Sequence, residues 1–171
     1  MILLKKFTYF FLFSTILWSC SSAPYLKTNS RDLFNLEPNT SFNIISEKDL
    51  LPAKVDPIFV DYIKEAILIN LSNKGHNFEG SSTIQLHIIV STEDKLDNDL
   101  SFYSSPYYYR YPYDYDRIRS IEEFYLRLSI IDTELDKTLW TGLTRWRPGS
   151  KFEPNNPDRA QLLVDLILNT L

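Results

Sequence analysis

Glu122 to Trp146 reads EEFYLRLSIIDTELDKTLWTGLTRW, and this stretch decides the fold. From Glu122 to Ile131 apolar and polar residues alternate. Phe124, Leu126, Leu128 and Ile130 fall on one face, and Glu123, Tyr125, Arg127 and Ser129 on the other. That period of two is the mark of a strand with one buried side. Asp132 to Asp136 supplies a turn. Thr138 to Trp146 returns, with Trp140 and Trp146 on one face and Gly142 between them. The segment is a β-hairpin with a single apolar face, and such a face needs a cover.

Two segments predict that cover. Asp56-Pro57 is a helix start, with Asp as N-cap and Pro at the first helical position. Gly75 is the stop. Between them Val60, Ile63, Ile67 and Leu71 recur at three- and four-residue spacing, an amphipathic stripe. Asn156-Pro157 opens a second helix, with a stripe of Leu163, Leu166, Ile167 and Leu171. Thr83 to Ser91 alternates as a further strand, with Ile84, Leu86, Ile88 and Val90 against Gln85, His87 and Ile89. Ser41 to Ser46 reads as a first strand. The order β-α-β-β-β-α predicts an α+β two-layer sandwich: a mainly antiparallel sheet of about four strands, with two helices on one face.

The chain has 171 residues and 20.1 kDa, enough for one domain. Its formal charge is −4, which argues against a nucleic-acid partner. One cysteine excludes an internal disulfide framework and multi-cysteine zinc sites.

That cysteine, Cys20, closes an N-terminal address. Lys5 and Lys6 precede an uncharged run from Phe7 to Trp18. This is the layout of a secretory signal peptide, and the run is short for a membrane span. Leu17-Trp18-Ser19-Cys20 resembles a bacterial lipobox, with a bulky Trp18 where a small residue is usual. The resemblance implies a signal peptide over residues 1–19 and covalent diacylglycerol and N-acyl lipid on Cys20, with no other cofactor. The membrane is then a partner through the anchor. Ser21 is not the Asp that resembles an inner-membrane retention signal, which points to the outer membrane and its periplasmic side. Residues 20–40, with Pro24, Asn29, Ser30, Pro38 and Asn39, read as lipidated cysteine and tether. The domain itself is expected over residues 41–171.

Leu71-Ser72-Asn73-Lys74-Gly75-His76 is similar to a helix end of Leu followed by Lys-Gly-aromatic, with His76 in the aromatic place. Ile130-Ile131-Asp132, then Lys137-Thr138-Leu139-Trp140-Thr141-Gly142, is similar to a hairpin of Asp, turn, Lys-Leu-Val-Trp-x-Gly. Behind a lipobox, these features resemble the bacterial lipoproteins of domain-of-unknown-function family 4136. The resemblance covers roughly residues 41–171 and carries no catalytic residue. The matched positions read as fold residues: Gly75 for a left-handed cap, Trp140 for packing, Gly142 for close backbone approach.

Family members carry a low-complexity insertion before the hairpin, and here residues 101–117 hold a Tyr/Pro-rich one. Tyr103, Tyr107, Tyr108, Tyr109, Tyr111, Tyr113 and Tyr115 are candidate binding residues, interleaved with Pro106, Pro112, Arg110 and Arg117. Tyrosines present broad faces with a polar tip, suited to stacking on sugars, docking a protein or lying at a lipid headgroup region. The same composition also suits a plain loop between strands.

Other candidates read more simply as structure. The acidic run Glu93, Asp94, Asp97 and Asp99 lacks the spacing and glycine of a calcium loop, so no metal site is expected. His76 and His87 read as surface histidines, with no nucleophile setting beside them. Glu122 and Glu123 point to opposite strand faces and cannot form a glycosidase-like pair. Trp140 and Trp146 read as packing residues ahead of a sugar platform. The expectation is a non-enzymatic binding or accessory module in the cell envelope, with an envelope protein or a glycan as partner. A cell-wall or glycan-processing enzyme and a self-associating structural lipoprotein are the alternatives.

Overall fold

In the computed structural model, residues 24–31, 34–46, 48–97 and 119–171 are described. The elements are β1 (Leu26–Ser30), β2 (Ser41–Ser46), α1 (Pro57–Asn73), β3 (Asn77–Phe78), β4 (Ile84–Asp97), β5 (Arg119–Asp132), β6 (Lys137–Trp146) and α2 (Pro157–Leu168). The sheet order is β1-β6-β5-β4-β2-β3. The class is α+β, as the patterning predicts.

The sheet itself differs from the expectation of a mainly antiparallel sheet of about four strands: it has six strands and is mixed, with two parallel pairs. β4, β5, β6 and β1 pair antiparallel in succession, whereas β2 pairs parallel with both β4 and β3. The parallel pair follows from connectivity. A strand–helix–strand link carries the chain back to its starting end, so β2, α1 and β4 form a crossover unit. β1 lies inside the stretch read as tether. Its sequence, LKTNS, has one apolar residue, but as an edge strand it needs only one packed side. Leu26 meets that need by packing against the core.

Both helix starts are as patterned. The Asp56 carboxylate accepts from the Ile58 N–H at 2.9 Å, and the Asn156 side chain accepts from the Arg159 N–H at 3.0 Å. Gly75, at φ +85, ends α1 in a Schellman turn: the His76 N–H donates to Leu71 O and the Gly75 N–H to Ser72 O. The core lies between helices and sheet. Ile63, Ile67 and Leu71 of α1 and Leu163 and Ile167 of α2 are fully buried with Leu86, Leu126, Leu128 and Ile130 of the sheet. Gly142 lets α2 approach: a Cβ there would sit 2.3 Å from Ile167 Cγ2 and 2.6 Å from Trp140 Cη2. Trp140 and Trp146 are both 3% exposed, and Trp146 stacks on Phe124, so they are core.

His76 corrects the reading of a surface histidine. It is buried edge-on to Phe42, with ring centroids 5.5 Å apart, and its Nδ1 has no partner among the described residues. The position closes the Schellman turn and is an apolar contact site, which the imidazole fills. Burial, with the Lys74 charge nearby, holds its pKa below the usual histidine value.

Candidate functional site

The helices cover one face of the sheet, and among the described residues no element covers the other. Strand register maps the uncovered face. One row across β4, β5, β6 and β1 is Ile89, Arg127, Leu143 and Lys27. The row below it is His87, Ser129, Thr141 and Asn29. Above it stand Ser91, Tyr125 and Arg145, with Tyr25 beside them just before β1. The top row holds Glu93 and Glu123, with Arg147 beyond the end of β6.

The two middle rows line a shallow concavity of about 350 Å³. Its floor mixes apolar Ile89, Ile131 and Leu143 with Arg127 and Lys27, and with the hydrogen-bonding groups of His87, Ser129, Thr141 and Asn29. Ile89 is 49% exposed and contributes apolar surface to this floor. His87 Nε2 lies 2.9 Å from Gln85 Oε1 on the same strand.

The upper end is built around one buried carboxylate. Glu123 is fully buried. Its Oε2 accepts from Arg145 Nη1 at 2.7 Å and from the Tyr125 hydroxyl at 3.0 Å, and Lys95 Nζ lies 2.9 Å away. Its Oε1 accepts from Arg147 Nε at 3.0 Å and Nη2 at 2.6 Å. Burial alone would raise its pKa, but the bonds from Arg147, Lys95 and Tyr125, with the Arg145 charge, outweigh it and lower the group to about 2. Tyr25 meets Tyr125 edge to face at 6.4 Å, and the Arg145 guanidinium lies over the Tyr25 ring at 4.7 Å. Lys27 and Lys95 flank the same two rings at 5.7 and 5.9 Å. Glu123 therefore fixes three cations in place.

Glu122, its neighbour, is on the opposite face, 2.9 Å from Lys54, which also lies 3.3 Å from Asp94. The two glutamates are thus separated by the sheet, as alternation predicts. Among the described residues there is no group of three or more His, Cys, Asp or Glu able to hold a metal, and no helix is long and apolar enough to cross a membrane.

Cys20 and the tyrosines Tyr103, Tyr107, Tyr108, Tyr109, Tyr111, Tyr113 and Tyr115 lie outside the described residues, as do the signal segment and the 101–117 insertion. β4 and β5 lead into and out of that insertion. Sequence reading missed the Tyr25–Tyr125–Arg145 group and the Glu123 hub. Tyr25 sits in a polar run with no period of its own. A signal for the hub was present: Glu123, Tyr125 and Arg127 share a face, as do Arg145 and Arg147. Their partnership needs the strand register, which periodicity alone does not give.

No protein-family model matches the chain, and no curated protein sequence matches it. A solved structure shares the fold. A PDZ domain protein from Parabacteroides distasonis superposes with a TM-score of 0.52 at 15% identity, covering 84% of this chain and 34% of that chain. The chain thus spans about a third of that protein's length. The PelC dodecamer structure from Paraburkholderia phytofirmans gives a TM-score of 0.49 at 9% identity, covering 85% of this chain and 95% of that chain. The likeness to the PDZ domain protein, at 15% identity, is one of fold alone.

Proposed function

We propose that this chain is a lipid-anchored protein of the bacterial envelope, held by Cys20 at the outer membrane and facing the periplasm. There it acts as a non-enzymatic binding or accessory module whose docking surface is the uncovered face of the sheet. The observation that carries the docking reading is that face itself: a concave surface with a half-exposed Ile89, beside a rigid Glu123–Arg145–Arg147 group. Anchoring confines such a module to one surface and raises its effective concentration for a neighbour on that surface. The lipobox-like Leu17-Trp18-Ser19-Cys20 supports the anchor, and two or three acyl chains hold durably where one does not.

Two experiments test the two halves. Replacing Cys20 by Ala is expected to move the protein from the membrane to the soluble fraction, and retention in membranes would contradict the anchor. Crosslinking and capture from the native envelope, with wild type beside an Ile89→Glu/Leu143→Glu variant and a variant lacking residues 101–117, tests the docking face. Loss of the captured partner in the double variant is expected. The same partner captured by the double variant, with loss only in the deletion, would move the site to the tyrosine-rich segment.

A further inference from the structure

We propose that the ligand of the uncovered sheet face is an acidic polysaccharide, one whose sugars carry carboxylates; the inference rests on reading that face as the docking surface. The chain as a whole is acidic, at −4. This face is not. Its described charged side chains are Lys27, Lys95, Arg127, Arg145 and Arg147 against Glu93 and Glu123. Glu123 is already engaged by three of those cations. Arg127 is exposed at the centre of the concavity and makes no ion pair among the described residues. Lys27 stands two strands away in the same row, with Leu143 between them. Neighbouring strands are about 4.8 Å apart, so the two residues stand about 10 Å apart on the sheet. That separation suits successive charges along a polymer better than one small anion.

The rest of the lining selects among polyanions. A flat anionic bilayer cannot follow a concave surface. An acidic peptide binding a sheet would use the free backbone edge of β1, which lies at the rim and not on the floor. The floor instead offers the Asn29 amide, the Ser129 and Thr141 hydroxyls and His87, groups that complement sugar hydroxyls. Ile89 and Leu143 offer apolar contact for the C–H faces of sugar rings, and Tyr25 and Tyr125 stand directly above. Arginine's planar fork binds a carboxylate through two parallel bonds, which suits Arg127 to the carboxylate of an acidic sugar.

The test uses the full chain in nonionic detergent. Binding of an oligogalacturonate is measured beside a neutral malto-oligosaccharide of equal length and glycerol phosphate, the charged headgroup of an anionic phospholipid. The acidic oligosaccharide is expected to bind and the neutral one not. Binding should fall steeply toward about 1 M salt, where charges are screened beyond about 3 Å. A Lys27→Glu/Arg127→Glu variant should bind at least about tenfold more weakly, with an unchanged far-ultraviolet spectrum. Both side chains are exposed, and a Lys27→Gln/Arg127→Gln variant gives the same comparison should the reversal misfold. Equal binding of neutral and acidic sugars, binding indifferent to both variants, or binding to the phospholipid headgroup alone would overturn the inference. A protein captured through Ile89 and Leu143, with no oligogalacturonate binding, would overturn the glycan and leave the docking face standing. Failure of both would remove the docking face as well.

Discussion

At the scale of single residues, Glu123 has the largest consequences. Replacing it by Gln keeps its shape and leaves Arg145, Arg147 and Lys95 gathered around an uncharged amide. Those cations are partly exposed, so the loss is smaller than for a fully buried pair, about 2 kcal/mol. The expected readout is a fall in Tm of about 4–8 °C. The pH dependence is specific. The folded pKa lies below the unfolded value, so the stabilisation is present above about 4.5 and is lost as pH falls toward about 2. In Glu123→Gln that acid limb should flatten; an unchanged limb would show that the charge contributes nothing. Gly142 makes a second case. An added methyl group would meet Ile167 and Trp140 well inside contact distance, so Gly142→Ala should cost about 1–3 kcal/mol in denaturant unfolding. Asp136 runs the other way. It holds φ +50 in the hairpin turn, where glycine is unstrained, and Asp136→Gly should raise stability by up to about 1 kcal/mol. The first of these effects needs the strand register, because by period alone Glu123 is one more polar residue on an alternating strand. The second was legible: Gly142 stands between two tryptophans on a buried face.

At the scale of elements, the long β4–β5–β6 meander and both helices followed from period and caps, because each pattern runs for nine residues or more. β1 and β3 did not. β3 is two residues long, and β1 has too few apolar positions to show a period. Their strand character comes from the neighbour they pair with. The parallel β2–β4 pair was likewise out of reach of local pattern, since direction is set by the helix between them. β1 nevertheless covers a large share of the β6 edge. Thr144, fully buried, donates its hydroxyl hydrogen bond to Tyr25 O at 2.7 Å. Removing residues 24–31 strips that partner and opens the β6 edge to other strands. Such a truncation should melt earlier and show concentration-dependent association in sedimentation. Unchanged melting and a constant sedimentation coefficient would mean that the sheet is complete without β1.

At the scale of the whole molecule, the two faces of the sandwich divide the work. The helix side holds the core, with Ile63, Ile67, Leu163 and Ile167 fully buried against the sheet. The opposite side keeps Ile89 exposed and concentrates the cations. Sequence alternation assigned the residues to these two sides, but only the register shows Arg127, Leu143 and Lys27 in one row. The central claim is that partners dock on this side. It is tested most directly by placing a benzophenone amino acid at Leu143 in the lipidated protein, and separately at Leu162, which is 52% exposed on α2. The two proteins are then irradiated in the intact envelope. The account predicts a crosslinked product of higher mass from position 143 and none from position 162. A product from 162 with nothing from 143 would contradict it and move the docking surface to the helices.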